Sequence, residues 1–267
     1  MLHSTRVSST GRIAWLCLGL AVLAASCSPG VGQPGHEPIR VFAASSLTEG
    51  FAELAQAFEA THPGNKVALQ FAGSQSLRLQ IEQGAPADVF ASANEAHVRE
   101  LVRAGTVVAP SAFATNRLAI VVPTDNPAAV KTFDDLPSAK RIVVGTEQVP
   151  VGAYTRTMLR NAEARLGPDL SAVLSRHIVS EEPNARLVRA KVELGEADAA
   201  IVYETDARSA MHARTIDIPA DVNVDATYFI GAVAGAERRE GAEAWIRFVQ
   251  SDQGQQILRQ HGFRRSE

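Results

Sequence analysis

The chain has 267 residues, with 26 basic and 29 acidic side chains and a formal net charge of −3. This length is enough for one large domain or two smaller ones, and the absence of a basic patch argues against nucleic acid as a partner. Aromatic residues make up only 6% of the chain, which also argues against stacking on nucleic-acid bases.

Residues 1–26 are predicted to be a secretory signal. Two arginines precede an apolar run, residues 13–26, that is too short to span a bilayer comfortably. The run ends in LAASC, which resembles the lipobox of bacterial lipoproteins, so Cys27 is the expected lipidation site. The alternative is an ordinary signal cleaved nearby, with Cys27 incidental. Residues 27–38 are rich in glycine and proline and are predicted to form a flexible tether.

From Ile39 onward, short apolar runs alternate with amphipathic stretches, which predicts alternating strands and helices. IRVFA predicts a strand, and a helix with an apolar face follows it. Ser46 and Glu49 stand in the S-x-x-E arrangement of a capping box, so Ser46 is the predicted N-cap of this helix. VALQF predicts the next strand, followed by a small-residue turn with Ser74 and Ser76 and a short helix. DVFAS and EAHVRELVRAG continue the alternation.

The second half of the chain repeats this pattern. Strands are predicted at LAIVVP, RIVVGT, HIVS, AAIVY, TIDIP and YFIGAVA, and helices at PVGAY, at PNAR and around EAWIRFV and SDQGQQILRQHG. The alternation predicts an α/β fold with a mixed, largely parallel sheet covered by helices.

The sequence lacks the motifs of common catalytic and metal sites. It contains no G-x-S-x-G elbow, no G-x-x-x-x-G-K-[ST] loop and no G-x-G-x-x-G turn. The seven histidines show neither i,i+4 pairing nor a cysteine partner, so a zinc site is not expected. Asp134 and Asp135 are expected to cap a short helix and face water. The chain is therefore predicted to be a binding protein without a cofactor, and not an enzyme.

Several turns between strands and helices are suited to binding an anion. Ser45–Ser46 and Ser74–Ser76 follow predicted strands and precede helices, and PVGAY and PNAR do the same. A helix N-terminus presents unpaired N–H groups and a positive dipole end, so an anion can bind there without a formal counter-charge. In an α/β sheet these turns lie outside the carboxyl ends of the strands, so the four can converge on one anion. The alternative is that Ser46 only caps its helix.

Five segments resemble a known family. VFAASSLTEGF, FAGSQSLRLQIEQGAPADVFASAN, ATNRLAIVVP, VPVGAY and GEADAAIVYETDA are similar, in this order, to the periplasmic molybdate-binding proteins of bacterial ABC importers. The resemblance covers nearly all of residues 39–263. It implies a two-lobed, type II-like periplasmic binding protein fold in which the chain crosses between lobes near Asn116 and within residues 219–225. The expected lobes are residues 39–115 with 225–267, and residues 116–224.

The resemblance also implies that neutral donors alone hold the oxyanion. These donors are the hydroxyls of Ser46, Ser74 and Tyr203 and the backbone N–H groups of Val151 and Ala185. Family members more often have alanine at the first backbone position and valine at the second, a swap that a backbone donor tolerates. The alternatives are that Ser45 and Ser76 donate in place of their neighbours, and that Tyr203 is only a core residue.

The charge and chemistry of the site follow from this donor set. Arg78 and Arg186 lie close to two of the turns, but each fits its helix pattern, so solvated positions are expected rather than counter-ions. Molybdate at neutral pH is a tetrahedral dianion whose oxygens only accept hydrogen bonds, which suits a site made of donors. Sulfate and tungstate share this character, whereas protonated phosphate would need an acceptor. Molybdenum is therefore expected only as the bound oxyanion, held by the same residues.

Together, the LAASC sequence and the resemblance predict an exported, lipid-anchored monomer on the periplasmic or extracytoplasmic side of a membrane. It would capture molybdate, and also tungstate, between two closing lobes and deliver it to an ABC permease. One alternative is a binder of another oxyanion, such as sulfate. The others are a secreted serine-dependent hydrolase, which the missing nucleophile elbow argues against, and an extracytoplasmic sensor domain.

Overall fold

The computed structural model describes residues 37–266. The predicted signal, Cys27 and most of the predicted tether lie outside the described residues. None of the helices in residues 37–266 combines the length and the apolar character needed to span a bilayer.

Strands and helices alternate through the described part of the chain. The strands are β1 (Ile39–Ala44), β2 (Val67–Ala72), β3 (Val89–Ser92), β4 (Val107–Pro123), β5 (Ile142–Gly145), β6 (Ile178–Glu182), β7 (Ala199–Tyr203), β8 (Ala213–Asp217) and β9 (Asp225–Val233). The helices are α1 (Thr48–Thr61), α2 (Ser74–Glu82), α3 (Glu95–Arg103), α4 (Pro150–Leu166), α5 (Leu170–Ser175), α6 (Ala185–Glu193), α7 (Glu204–Arg208), α8 (Arg239–Gln250) and α9 (Asp252–Gln260). Short 3-10 turns lie at Ser45–Leu47 and Phe133–Ser138.

The strands form two sheets that share β4. In the first sheet the order is β2-β1-β3-β9, and β9 pairs with residues 107–117 of β4. In the second sheet, residues 118–123 of β4 pair with β7 and β8, and β7 continues to β5 and β6. The pairs β1-β2, β1-β3, β5-β6 and β5-β7 are parallel, whereas every antiparallel pairing involves β4 or β9.

This topology confirms the predicted mixed α/β fold, but the sheets are not largely parallel as expected, because four of the eight strand pairings within residues 37–266 are antiparallel. β4 changes sheet beside Asn116 and β9 begins at Asp225, the parts of the chain in which the crossings between lobes are expected. The lobe boundaries drawn from those crossings remain a prediction.

The predicted capping box at the start of α1 is wrong. Ser45, Ser46 and Leu47 form a 3-10 turn, Leu47 is the N-cap of α1, and no side chain caps this helix. The Thr48 hydroxyl instead donates to the Ser45 carbonyl oxygen at 2.6 Å. Glu49, the other half of the predicted box, pairs with an arginine of α6. Ser46 is therefore not occupied in capping.

An aromatic cluster holds α1 and α8 together on the first sheet. The Phe58 and Trp245 ring centroids are 5.4 Å apart at 90°, and the Phe51 and Trp245 centroids are 5.7 Å apart at 79°. All three side chains are fully buried. Edge-to-face pairs of this kind contribute about 0.5–1.5 kcal/mol each beyond their burial. The cluster fixes α1 against the sheet, and with it the turn that carries Ser46.

A close approach of backbone to backbone positions α4 on the second sheet. A Cβ on Gly152 would lie 2.0 Å from the Thr146 carbonyl oxygen and 2.3 Å from that of Gly145. Only glycine permits this approach, because any side chain would push the first turn of α4 away from the end of β5. Gly152 therefore sets where the neighbouring Val151 N–H lies.

Candidate functional site

A small cavity lies at the carboxyl ends of the strands, where the starts of several helices meet. Its volume is about 10 Å³, far below the ~300–1,000 Å³ typical of pockets for drug-sized ligands, so it has room only for a small ligand. The cavity brings together all five residues expected to bind the anion. Its lining consists of Ala44, Ser45, Ser46, Ala72, Gly73, Ser74, Ala93, Val149, Pro150, Val151, Asn184, Ala185 and Tyr203.

Ser46 faces the cavity from the 3-10 turn between β1 and α1. Its side chain is buried, and its Oγ lies 2.8 Å from the hydroxyl oxygen of Tyr228. Ser45 also lines the cavity, so the alternative donor at this turn stays open. The contact with Tyr228 distinguishes Ser46 from its neighbour.

Ser74 is the first residue of α2 and is 1% exposed. Its Oγ accepts a hydrogen bond from the Ala93 N–H at 3.1 Å, which leaves the hydroxyl hydrogen free to point elsewhere. Ser76 does not line the cavity, and its Oγ accepts from the Gln75 side chain at 3.3 Å. The geometry therefore favours Ser74 over Ser76 as the donor at this turn.

Val151 and Ala185 lie in the first turns of α4 and α6. N–H groups at these positions have no intrahelical partner, so they are available to a ligand. In α6, the Asn184 side chain caps the helix by accepting from the Leu187 N–H at 3.0 Å, which leaves the Ala185 N–H unused by the cap. In α4, Pro150 occupies the first position, where a missing N–H costs nothing.

Tyr203 ends β7 and is 1% exposed. Its hydroxyl has no hydrogen-bond partner within residues 37–266. Burial raises the pKa of Tyr203 well above its ordinary value, so the group stays protonated and can only be useful here as a neutral hydroxyl. Leaving such a group unpaired costs about 1–3 kcal/mol, a cost that a bound acceptor would remove. Tyr203 is thus both a buried residue and an unsatisfied donor at the cavity.

The two arginines near the turns lie outside the cavity lining. Arg78 pairs with Glu82 within α2, and Arg186 of α6 pairs with Glu49 of α1. They are half-buried ion pairs, which corrects the expectation that both would be solvated. The expectation that they are not counter-ions agrees with their positions.

Contacts between elements of the two sheets surround the cavity. The Gln75 side-chain amide donates to the Pro183 carbonyl oxygen at 2.8 Å, and Nε2 of His97 lies 3.0 Å from the Gln148 carbonyl oxygen. Burial lowers the pKa of His97, which leaves a neutral imidazole that donates from Nε2. With the ion pair between α1 and α6, these contacts join the two sides over the cavity.

Sequence reasoning missed a buried polar group behind Ser46. Asn116, Thr205 and Tyr228 are all nearly inaccessible to solvent. The Asn116 side-chain amide donates to the Thr205 hydroxyl at 2.8 Å and to the Tyr228 hydroxyl at 3.4 Å. The sequence carried little signal for this group, because Ser111, Thr115 and Arg117 of β4 are polar as well.

The chemistry of the cavity is that of neutral hydrogen-bond donors. No group of three or more His, Cys, Asp or Glu residues in the described part of the chain could hold a metal ion. Neither Ser46 nor Ser74 is hydrogen-bonded to a histidine among residues 37–266, so neither has the base that an activated serine requires. The lining suits a small ligand whose oxygens only accept.

Comparisons with known proteins agree with this description. Residues 39–264 match the family described as bacterial extracellular solute-binding protein. The molybdate-binding protein ModA of Mycobacterium tuberculosis is 35% identical over 262 residues, which cover 96% of this chain and 97% of the relative. The putative ABC transporter substrate-binding lipoprotein YvgL of Bacillus subtilis is 28% identical, over 91% and 93%. The structure of the substrate-binding domain of a putative molybdenum ABC transporter from Clostridium difficile matches with a TM-score of 0.66 and 26% identity, over 86% of this chain and 99% of that one.

Proposed function

The chain belongs to the family of bacterial extracellular solute-binding proteins, and from that membership we propose that it binds molybdate for an ABC importer. The family is one of solute-binding proteins and not of enzymes. The observation that supports molybdate is the cavity at which the five neutral donors meet. The ligand sites themselves, Ser46, Ser74, Val151, Ala185 and Tyr203, are part of this proposal.

The donor set matches the chemistry of the anion. Each oxygen of the molybdate dianion accepts hydrogen bonds and donates none. The helix starts at Val151 and Ala185 add the favourable end of the helix dipole to their N–H groups. The Tyr203 hydroxyl is a buried donor that has no hydrogen-bond partner within residues 37–266, so it is available to the anion. Binding of an acceptor thus relieves the cost of leaving this hydroxyl unpaired.

Capture is proposed to proceed by closure of two lobes, residues 39–115 with 225–267 and residues 116–224. The contacts of Gln75 and His97 with the opposite side support this mechanism, because each requires the two sides to be together. Closure would bury the anion and create the surface that a membrane permease recognises. Tungstate, which has the same charge and hydrogen-bonding character, is proposed as a second ligand.

Calorimetry tests the proposed ligand directly. The chain without residues 1–26 would be titrated with molybdate, tungstate, sulfate and phosphate. Molybdate and tungstate should bind, and phosphate should not, because its remaining proton finds no acceptor in the lining. Absence of molybdate binding would refute the proposal, and tighter binding of sulfate would reassign the ligand.

Substitutions in the lining test the proposed site. Ser74→Ala and Tyr203→Phe each remove a donor to a dianion, so each should weaken molybdate binding by about ten- to a hundredfold. Ser76→Ala, two residues along α2 and outside the cavity lining, is the matched control and should leave the affinity unchanged. If the control weakened binding as much as Ser74→Ala, the donor at this turn would be wrongly assigned.

Lipidation of Cys27 is proposed for membrane anchoring, with the folded part outside the cytoplasm. The proposal is supported by the LAASC sequence and by the lipoprotein description of the Bacillus subtilis relative. In a bacterial host, Cys27→Ala should move the protein from the membrane to the soluble extracytoplasmic fraction. Mass spectrometry of the wild-type chain provides the second measurement. A soluble, unmodified wild-type protein would exclude the anchor.

A further inference from the structure

The orientation of the Asn116 side chain is fixed by its own backbone neighbour. The Arg117 N–H donates to Oδ1 of Asn116 at 2.9 Å, so this end of the amide is the acceptor. The other end is then the NH₂ group, which has two hydrogens and cannot accept. One of these hydrogens is donated to the Thr205 hydroxyl at 2.8 Å, and the other to the Tyr228 hydroxyl at 3.4 Å.

This orientation decides the direction of the next hydrogen bond. The hydroxyl of Tyr228 contacts Asn116 Nδ2 and Ser46 Oγ. Because Nδ2 cannot accept and the Tyr203 hydroxyl makes no hydrogen bond within residues 37–266, the Tyr228 hydrogen goes to Ser46 Oγ at 2.8 Å. Burial raises the pKa of Tyr228 above its ordinary value, so this hydrogen is retained at neutral pH.

The Ser46 hydroxyl is left with one orientation. Its oxygen accepts from Tyr228, so its own hydrogen must point away from Tyr228, and Ser46 lines the cavity. A free serine hydroxyl can either donate to or accept from a ligand. In Ser46, one lone pair of the oxygen is already used by Tyr228, and the hydroxyl hydrogen can point into the cavity.

We propose that Asn116 and Tyr228 are positioning residues that hold the Ser46 hydroxyl as a donor towards the bound anion. This inference rests on the proposed anion-binding function and deepens it. The chain of donors runs from Asn116 through Tyr228 to Ser46, and each bond sets the direction of the next. The arrangement favours ligand oxygens that carry no proton, because the Ser46 hydrogen points towards the cavity and one of the two lone pairs of its oxygen is already used.

A double-mutant cycle separates this role from a merely structural one. Tyr228→Phe keeps the ring and removes the hydroxyl, so molybdate affinity should fall by roughly three- to tenfold. In a Ser46→Ala background the same change should have almost no effect, because Tyr228 would act only through Ser46. Calorimetry measures the molybdate affinity of the four proteins in the cycle, which are the wild type, the two single variants and the double variant.

Tyr154→Phe is the control, because it removes the hydroxyl of another tyrosine, one that is half-buried and lies outside the cavity lining. It should leave molybdate affinity unchanged. Thermal melting of each ligand-free variant checks folding, and Asn116→Leu replaces Tyr228→Phe in the cycle if the latter does not fold.

The outcomes distinguish this inference from the proposed function. Losses that multiply in the double variant, or an unchanged affinity for Tyr228→Phe, would overturn the positioning role while leaving molybdate binding intact. If the wild-type protein fails to bind molybdate, the proposed function itself is wrong.

Discussion

Asp206 is a buried carboxyl group that the proposed binding site does not use. It lies in α7, and its Oδ2 has no hydrogen-bond partner within residues 37–266. The pKa of Asp206 is raised to about 7, mainly by burial; Arg189 and Arg186 oppose this rise, whereas Glu49 and Glu193 add to it. The folded protein therefore holds a proton at this position that the unfolded chain releases at a much lower pH.

This proton makes the stability of the fold depend on pH. Between about pH 4 and pH 7 the folded state binds more protons than the unfolded state, so the free energy of unfolding should fall as the pH rises, by up to about 1.4 kcal/mol per pH unit. Asp206→Asn mimics the protonated form, so it should remove this slope and exceed the wild-type stability at about pH 8. Urea unfolding from about pH 5 to about pH 8 measures both effects.

Asp198→Asn is the matched control for this experiment. Burial alone would raise the pKa of Asp198, but hydrogen bonds from the Arg141 side chain and from the backbone of Arg141 and Lys140 lower it overall. Its stabilising contribution is therefore complete above the unfolded-state pKa. The variant should lose stability equally at every pH in this range and keep the wild-type slope. A pH slope that persists in Asp206→Asn would assign the titration to another group.

The site was only partly predictable at the level of residues. Ser46, Ser74, Val151, Ala185 and Tyr203 could be placed by motif, because each lies within a few residues of a recognisable turn or strand end. The contact of Tyr228 with Ser46 could not be predicted, because Tyr228 lies 182 residues further along the chain. Only the pairing of β9 within the first sheet brings that tyrosine to Ser46.

At the level of helices, the proposed site relies on where each helix starts rather than on charge. Arg78→Gln and Arg186→Gln should therefore weaken molybdate binding by less than about fivefold, since partly exposed ion pairs contribute about 0–1 kcal/mol. Ser46→Ala should weaken it by about ten- to a hundredfold. Calorimetry at low and high salt gives the comparison, and the salt dependence should be shallow. Loss of binding in either arginine variant, with Ser46→Ala intact, would mean that charge holds the anion.

Strands and helices could be predicted where apolar residues recur at regular spacing. The prediction failed where contacts with distant parts of the chain determine the local structure. Only the apolar end of β4, LAIVVP, was predicted. Its earlier residues include Pro110 and several polar side chains, and their pairing with β9 is interrupted by irregular register. Ser46, the serine of the expected capping box, instead lies in a 3-10 turn, where its hydroxyl contacts Tyr228. Local patterns carry no information about such distant partners.

At the level of the whole molecule, the position of Gly73 shows how closely the two sides of the cavity approach each other. A Cβ on Gly73 would lie 2.3 Å from the Pro183 carbonyl oxygen, which belongs to the opposite side of the cavity. The backbone of Gly73, with φ −63° and ψ 140°, is one that alanine adopts freely. The obstacle to a side chain is therefore the closed arrangement and not the local conformation.

Gly73→Ala should separate binding from folding. It should weaken molybdate binding by roughly ten- to a hundredfold, because closure would force the new methyl group against a carbonyl oxygen. The ligand-free protein should be as stable as the wild type or more so by about 0.4–1 kcal/mol, because alanine restricts the unfolded chain. Calorimetry measures the molybdate affinity, and thermal melting measures the stability of the ligand-free protein.

Gly50→Ala is the control for this substitution. The nearest atom to a Cβ there lies at 3.5 Å, an ordinary contact, so molybdate affinity should not change. Wild-type affinity in Gly73→Ala would show that the two sides need not approach this closely to hold the anion.

The position of β9 has a consequence for the order in which the protein can be assembled during synthesis. β9 pairs with both β3 and β4, and it occupies residues 225–233, long after either partner. A ribosome-bound chain that ends before β9 cannot complete the first sheet, and pairings this distant in sequence form slowly. The first sheet should therefore remain incomplete until the chain is nearly finished. For an exported protein this delay is useful, because a secretion pore admits an unfolded chain and excludes a completed sheet.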